Sequence, residues 1–312
     1  MSKLSFVIPC YGSEQTVANV INEIQEKVKE KEEYDYEIIA VNDSSPDNVL
    51  EVLKQIANNN KKVKVIDLAK NRGKHSAVLA GYSAITGDII IGVDDDGQCP
   101  IDQLWRLLEP LQNGYDVSVA KYDRKKQSKF KNFGSRGNAL MTRLFIGKPR
   151  DLVFSNFTAR KRFVCNKMRE YTNPYPYLDG LVLTITNKIA NVPMEQRERQ
   201  SGKSGYRFTK SLKLLLNGFT AFSIWPLRAA SVIGMLTAII GFIFGIFIVF
   251  RKLMDPSVLA GYSSLAALVL FIGGIIMMLL GMIGEYVGRI YISINKSPQY
   301  VIRESINISC ND

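Results

Sequence analysis

The acidic segment after the apolar run Ile89–Val93 is the part of this sequence whose residue types point most directly to chemistry. Three carboxylates, Asp94, Asp95 and Asp96, follow one another there, and Gln98 adds an amide oxygen. Carboxylates held this close repel one another unless a cation lies among them. A hard divalent ion takes oxygen ligands, and Mg²⁺ typically uses one or two carboxylates together with substrate phosphates. The segment therefore predicts a metal and diphosphate site, with a solvated acidic loop as the alternative.

Alternating apolar and amphipathic runs predict the elements that position this segment. Such alternation produces right-handed crossovers and a mostly parallel sheet, so the amino-terminal half is predicted to be an α/β nucleotide-binding domain. Its ligand edge would contain the strand ends at Pro9–Tyr11, Asn42–Asp43 and Asp94–Gln98, where open sheets of this class bind ligands. The predicted strands are Leu4–Pro9, Glu37–Val41, Val63–Leu68, Ile89–Val93 and Val117–Ala120, and the predicted helices are Thr16–Lys31, Val49–Ala57, His75–Ile85 and Ile101–Leu111.

Several common kinds of site are excluded by their missing motifs. There is no Gly-x-Gly-x-x-Gly, and Gly202-Lys203-Ser204 lacks the earlier glycine of a Walker motif, because Arg197 occupies that position. A sheet without a glycine-rich loop can hold a diphosphate with a metal ion and arginines instead. The 4 cysteines are scattered without a Cys-x-x-Cys pair, which indicates neither a zinc site nor a disulfide framework.

The carboxy-terminal half contains two uncharged apolar stretches, Ala229–Phe250 and Ser264–Gly284. Each is long enough to cross the ~30 Å hydrocarbon core of a bilayer, and together they predict a transmembrane hairpin; buried soluble helices are the alternative. Basic residues are in excess before the first stretch, within a net charge of +11, so both termini are predicted to be cytoplasmic. Tyr206–Leu227 has an apolar helical face and is predicted to lie at the membrane interface, or alternatively in a protein core.

These patterns divide the chain into a cytosolic α/β domain over 1–205, interfacial amphipathic helices over 206–227, a transmembrane hairpin over 228–288 and a cytosolic tail over 289–312. The spans are rich in glycine, which allows close helix approach and is compatible with a homo-oligomer. The basic segment Lys121–Arg136 lacks the interleaved aromatic residues of a nucleic-acid surface. It is predicted to face anionic lipid or substrate phosphate instead.

Short motifs spread along the chain complete the pattern: Val7-Ile8-Pro9-Cys10-Tyr11, Val41-Asn42-Asp43-Ser44-Ser45, Asn71-x-Gly73-Lys74, Asp94-x-Asp96-x-Gln98-x-Pro100, Arg199-x-x-Gly202-x-Ser204, and Gly284-Glu285-Tyr286-Val287-Gly288-Arg289-Ile290-Tyr291 followed by Pro298-x-Tyr300. Together they resemble the membrane-anchored inverting glycosyltransferases of family two that make polyprenyl-phosphate sugars. The resemblance runs from Phe6 to about Tyr300 and implies a catalytic domain of the GT-A type. The chain departs from it at Gly12-Ser13, at Asn156, where an acidic residue is usual, and near Tyr122, where Arg124 is the closest arginine.

The resemblance also implies a role for each motif. The implied metal ligands, for Mg²⁺ or Mn²⁺, are Asp94, Asp96 and Gln98. The implied acceptor-phosphate residues are Arg199, Ser204, Arg124 and Ser135, and the residues expected to matter most for catalysis are Asp96, Arg199 and Arg124. The implied nucleotide-binding residues are Pro9, Tyr11, Asp43, Gly73, Lys74, Asp94 and Asp95.

The reaction implied is inverting transfer of a sugar from a nucleotide-diphosphate sugar, UDP-glucose or UDP-N-acetylglucosamine first among them, to undecaprenyl phosphate. The nucleophile is a phosphate oxygen that is already anionic, so the reaction needs positioning more than a general base, and His75, the only histidine, is not required. The resemblance implies a homotetramer in the cytoplasmic membrane. The alternatives are a processive polysaccharide synthase, and a non-catalytic membrane adaptor with a degenerate nucleotide site.

Overall fold

The computed structural model of the chain describes residues 2–122, 151–173, 176–195, 197, 225–254, 261–294 and 298–308. The chain forms two compact units, one of Met1–Gly218 with Lys296–Asp312 and one of Phe219–Asn295. The predicted acceptor-phosphate residues, Arg124, Ser135, Arg199 and Ser204, lie outside the described residues, as does most of the predicted interfacial segment 206–227.

The first unit contains an 8-stranded sheet. Its strands are β1 (Ser2–Cys10), β2 (Tyr34–Asn42), β3 (Val63–Leu68), β4 (Ile89–Gly92), β5 (Val117–Tyr122), β6 (Thr158–Lys161), β7 (Ile189–Met194) and β8 (Ile302–Ile306). They lie in the order β7-β5-β6-β4-β1-β2-β3-β8. The pairs β1–β2, β1–β4, β2–β3 and β5–β7 are parallel, and β6 and β8 are antiparallel to their neighbours.

Helices cover the sheet because one face of each is apolar. In the first helix the buried side chains recur every three or four residues, at Val17, Val20, Ile21, Ile24 and Val28, which is the spacing of one helical face. The strand β1 is buried along most of its length, as expected for a strand in the centre of a parallel sheet. The helices of this unit are α1 (Val17–Lys29), α2 (Val49–Asn59), α3 (Lys74–Gly81), α4 (Leu104–Gln112), α5 (Arg162–Arg169) and α6 (Leu178–Ile185).

The predicted α/β class and mostly parallel sheet are confirmed, and each of the predicted strands and helices has a counterpart in β1–β5 and α1–α4. The sequence interpretation did not include β6, β7, β8, α5 or α6. Of these, β8 lies within the predicted tail 289–312, where residues 302–306 pair with β3 and extend the sheet.

The second unit contains two long helices that contact each other, α7 (Trp225–Met254) and α8 (Tyr262–Ile294). Within the described residues, one stretch, Phe271–Gly288, is long and apolar enough to cross a membrane, with a mean hydropathy of 1.8; the apolar stretch of α7, Gly234–Phe244, is shorter. The hairpin of two spans therefore stays a prediction. A Cβ added at Gly234 would lie 3.4 Å from Leu279 Cδ1, whereas Gly273, Gly274, Gly281, Gly284 and Gly288 have no such neighbour among the described residues.

Candidate active site

Asp94 lies just beyond the carboxyl end of β4, and both of its carboxylate oxygens have partners. Lys74, the first residue of α3, donates to Oδ1, and Asn156 Nδ2 donates to Oδ2 at 2.7 Å. The Lys74 side chain is 42% exposed and that of Asp94 is 19% exposed, so the pair lies at a surface that a ligand can reach. The structure thus brings together Lys74 and Asp94, which both have predicted roles, and Asn156, for which no role was predicted.

Asp95 faces away from this pair and holds the acidic loop against the end of β1. Its Oδ2 accepts a hydrogen bond from the Tyr11 backbone N–H at 2.9 Å, and its carbonyl oxygen accepts one from Thr16 Oγ1 at 2.6 Å. Burial, together with the neighbouring charges of Asp94 and Asp96, raises the pKa of the Asp95 carboxyl. Asp95 was not among the predicted metal ligands, and its carboxylate binds the backbone of Tyr11, a residue predicted to bind the nucleotide.

The rest of the acidic loop turns at Gly97, whose φ of +73° favours glycine. There the Gln98 backbone N–H donates to Asp96 Oδ1 at 3.1 Å. Among the described residues, no three His, Cys, Asp or Glu side chains are grouped so that they could hold a metal ion by themselves. The oxygen donors of Asp94 and Asp96 nevertheless fit an ion such as Mg²⁺, which takes one or two carboxylates and completes its shell with substrate phosphates.

Asp43, directly after β2, is buried and holds the loop that precedes α3. Its two carboxylate oxygens accept the backbone N–H groups of Arg72, at 2.7 Å, and Gly73, at 2.8 Å, and Asn71 Nδ2 donates to its carbonyl oxygen at 3.0 Å. Gly73 has a φ of +84°, which an L side chain rarely adopts. Burial raises the pKa of Asp43. This network joins two predicted nucleotide-binding motifs at the same sheet edge.

The turn after β1 is fixed by polar contacts to the turn after β2. The Gly12 N–H donates to Ser45 Oγ at 2.8 Å, and Ser45 Oγ donates to Asp47 Oδ1 at 2.5 Å. Asp47 also accepts the Glu14 N–H at 2.9 Å. Next to these anchored groups the Tyr11 side chain is 55% exposed, so a large aromatic surface is held at the edge by a rigid backbone. A planar base can stack on such a surface.

A cleft opens beside the Lys74–Asp94 pair, between α3, β4 and the first turn of α6. Apolar side chains such as Val7, Val78 and Leu178 form part of its wall. The polar groups that line it are Lys74, His75, Asp94, Ser155, Asn156, Arg160 and Asp179. The sequence interpretation assigned no role to His75, Arg160 or Asp179, and no periodicity in the sequence marks them as neighbours of the acidic loop.

This site lies at the carboxyl ends of parallel strands in an α/β sheet, which is the arrangement of a nucleotide-binding enzyme domain. The chain belongs to glycosyltransferase family 2, because the family model described as "Glycosyl transferase family 2" matches residues 5–170. The model described as "GtrB C-terminal hairpin" matches residues 225–290. The resemblance inferred from the motifs is confirmed, and the chain is a transferase.

Similar proteins align along nearly the whole chain. An uncharacterized glycosyltransferase, YkcC, of Bacillus subtilis is 32% identical over 97% of this chain and 94% of its own. A prophage bactoprenol glucosyl transferase homolog of Escherichia coli is 30% identical over 96% of this chain and 98% of its own. An undecaprenyl-phosphate 4-deoxy-4-formamido-L-arabinose transferase of Proteus mirabilis is 29% identical over 99% of this chain and 95% of its own.

A likeness to solved structures supports the fold. The crystal structure of glucosyl-3-phosphoglycerate synthase from Mycobacterium tuberculosis in complex with UDP superposes with a TM-score of 0.51 and 17% identity, covering 71% of this chain and 79% of that one. The α/β domain is therefore GT-A-like.

Proposed function

We propose that this chain transfers a sugar, with inversion, from a nucleotide-diphosphate sugar to a polyprenyl phosphate such as undecaprenyl phosphate. The observation that carries the proposal is that the similarity to bactoprenol and undecaprenyl-phosphate transferases continues from the catalytic domain through the carboxy-terminal helices. A transferase with a soluble acceptor would need the catalytic domain alone. The two rival interpretations, a polysaccharide synthase and a non-catalytic adaptor, have no such full-length counterpart among these relatives.

The donor is proposed to lie along the sheet edge. The exposed ring of Tyr11 faces the base, and the loop at Gly73, fixed by Asp43, lies beside it. Lys74 and Asp94 form an ion pair. When a diphosphate is present, the Lys74 ammonium is placed to pair with it instead, since the side chain is long, flexible and partly exposed.

A divalent cation, Mg²⁺ or Mn²⁺, is proposed to be held by Asp94, Asp96 and Gln98. When bound, it supplies positive charge to the leaving diphosphate, which lowers the barrier to cleavage of the sugar–phosphate bond. Asp95 is proposed to shape the nucleotide site through the Tyr11 backbone rather than through direct contact, because its carboxylate already accepts that N–H.

The acceptor is proposed to reach the domain from the membrane. Arg199 and Arg124, with Ser135 and Ser204, are the proposed phosphate-binding residues, because arginine forks match phosphate oxygens. The helices α7 and α8 are proposed to form the membrane hairpin, with the catalytic domain and both termini in the cytoplasm. The glycines of α8 that have no close neighbour among the described residues are proposed to pack between copies in a homotetramer.

The test is an assay of the purified full-length protein in detergent with undecaprenyl phosphate and a panel of UDP-sugars, UDP-glucose and UDP-N-acetylglucosamine first. We expect one of them to yield a lipid-linked sugar of inverted anomeric configuration. Undecaprenol, which lacks the phosphate, is the matched acceptor control. The variant Asp96→Ala and the wild type in EDTA should both lose transfer while the helical circular dichroism signal is kept. Full activity in EDTA would contradict the metal-dependent mechanism.

A further inference from the structure

The segment 298–308 follows α8 in the chain and packs on the first unit, where it contacts elements that carry the candidate site. Gln299 is buried, and its Nε2 donates to the carbonyl oxygens of Tyr171 at 2.7 Å and Asn173 at 2.5 Å, in the stretch between α5 and α6. Residues 302–306 form β8 and pair with β3. The function proposed above uses none of the residues of this segment.

The loop between β3 and α3 is held at its first residue by this segment. The Ala69 backbone N–H donates to the Val301 carbonyl oxygen at 2.9 Å, and the Ala69 carbonyl oxygen accepts a hydrogen bond from Arg303 Nη2, also at 2.9 Å. At its other end the same loop donates two backbone N–H groups to Asp43 and leads into Lys74. The carboxy-terminal segment and Asp43 therefore fix the two ends of one loop.

A continuous set of hydrogen bonds leads from Arg303 to the turn after β2. Arg303 Nη1 lies 3.4 Å from Asp67 Oδ2, and the other oxygen of this carboxylate accepts a hydrogen bond from Asn42 Nδ2 at 2.7 Å. Asn42 Oδ1 in turn accepts the Ser45 backbone N–H at 3.1 Å. Ser45 is the residue whose Oγ fixes the turn after β1, so the set of hydrogen bonds reaches both turns at the nucleotide edge.

Asp67 makes this connection depend on charge. Its side chain is 3% exposed, and a carboxylate removed from water is stable only where hydrogen bonds and an opposite charge replace the lost hydration. Arg303 supplies a guanidinium charge, and Asn42 supplies an amide donor. The Arg303 side chain itself is 58% exposed, so its replacement removes the charge while changing the packing of β8 little.

We propose that Arg303 is a positioning residue of the nucleotide site and that the segment 298–308 is a structural part of that site. Through Asp67 it holds the turn after β2, and through Ala69 it holds the loop that leads into Lys74. This rests on the proposed function insofar as the nucleotide lies against these two loops. Because β8 follows α7 and α8 in the chain, the site is complete only once both long helices have been synthesised.

The first measurement is calorimetric binding of UDP, with Mg²⁺, to the full-length protein in detergent. Arg303→Met keeps the stem of the side chain but removes its donors, and we expect it to weaken UDP binding about fivefold. Arg303→Lys keeps a positive charge near Asp67 and should recover part of that loss. Asp67→Asn should weaken binding to a similar extent, and the double variant of Arg303→Met with Asp67→Asn should bind no more weakly than the weaker single variant.

The matched control is Glu304→Gln on the same strand. Its pair with Lys54 is outside this set of hydrogen bonds, so the UDP affinity of Glu304→Gln should change less than about twofold. The second measurement is hydrogen exchange of the protein without nucleotide. In Arg303→Met the backbone N–H groups of Gly12 and Ser45 should exchange faster than in the wild type, whereas those in the middle of β1 should exchange at wild-type rates.

Unchanged UDP affinity in Arg303→Met, or an equal loss in Glu304→Gln, would overturn the inference. A merely structural role lowers the stability of the whole domain without changing the affinity of the molecules that stay folded. Unchanged exchange at Gly12 and Ser45 would overturn it as well. A wild type that binds UDP but transfers no sugar to polyprenyl phosphate would contradict the proposed function and leave these comparisons unaffected, so the two proposals fail separately.

Discussion

Glu37 in the middle of β2 gives the sharpest prediction about stability. Its carboxylate is buried, with 2% of the side chain exposed, and lies 2.8 Å from Lys64 Nζ. Ser5 Oγ donates to it at 2.6 Å, and Thr86 donates through its backbone N–H at 2.5 Å and through Oγ1 at 2.7 Å. Burial alone would raise the pKa, but these hydrogen bonds outweigh it and lower the pKa from 4.5 to about 2. At 1.36 kcal/mol for each pH unit, the ionised form contributes about 3 kcal/mol to folding.

The perturbation is Glu37→Gln, which removes the charge and leaves Lys64 and Lys3, whose Nζ lies 3.2 Å from the carboxylate, without their charged partner. We expect a loss of about 3 kcal/mol at neutral pH. The matched control is Asp35→Asn on the same strand, which breaks an ion pair to Lys62 in which both side chains are at least 40% exposed, and should cost less than about 1 kcal/mol. Urea unfolding, followed through the fluorescence of Trp105, which stacks on Tyr34, measures both losses.

The pH dependence follows from the sign of the shift. The pKa in the folded state lies below the unfolded value, so the contribution is complete above about pH 4.5 and is lost as the pH falls towards about 2. The stability difference between wild type and Glu37→Gln should shrink over that range. A difference that stays constant with pH, or a loss no larger than that of Asp35→Asn, would refute the assignment of the stabilisation to the charged carboxylate.

The membrane topology, the acceptor side and the carboxy-terminal strand give further expected outcomes. A reporter fused to the carboxyl terminus should be cytoplasmic, since two spans return the chain to its starting side; a reporter on the outer face would mean that one helix does not span. Arg199→Ala should nearly abolish transfer and Arg199→Lys should impair it clearly, whereas UDP-sugar binding should change less in both variants. Near-normal turnover of Arg199→Ala would show that Arg199 is not part of the site. Arg303 donates to the Ala69 carbonyl oxygen at 2.9 Å and pairs with buried Asp67 at 3.4 Å, so Arg303→Gln should lower urea stability by about 1 kcal/mol. Glu304→Gln, which breaks the pair with Lys54 near the surface, should lower urea stability less than Arg303→Gln does. Equal losses of stability in the two variants would contradict the role of Asp67.

The fold of the amino-terminal half was predictable because its strands and helices carry their own periodicity. Runs such as Ile89–Val93 are apolar throughout, since they are buried on both faces of a parallel sheet. The missed elements lack this signal. β6 has four residues, two of them basic, and β8 is largely exposed, so neither differs in pattern from a loop. What makes β8 a strand is its pairing with β3, more than 230 residues earlier in the chain.

The candidate site was predictable at the level of the motif but not of the individual atom. A run of aspartates at a strand end marks the ligand edge, yet it does not tell which carboxylate faces the ligand, because neighbouring side chains on an irregular loop point in different directions. Asp95 faces the Tyr11 backbone, and Asp94 faces Lys74. The Asn156 partner is 62 residues away from Asp94 and was noted only as a departure from the family pattern.

The ion pair of Lys74 and Asp94 connects these observations. Three adjacent carboxylates would be strongly unfavourable in a partly buried loop, and the fold relieves them by different means: Asp95 accepts a backbone N–H, and Asp94 pairs with an ammonium. A donor diphosphate and its divalent cation carry charges opposite to those of Lys74 and Asp94. When they bind, Asp94 can pair with the cation and Lys74 with the diphosphate, so neither side chain is left unpaired. We infer that Asp94 is half of an ion pair whose partner changes when the donor and its cation bind, and that Lys74 is therefore as necessary to the site as the carboxylate it neutralises.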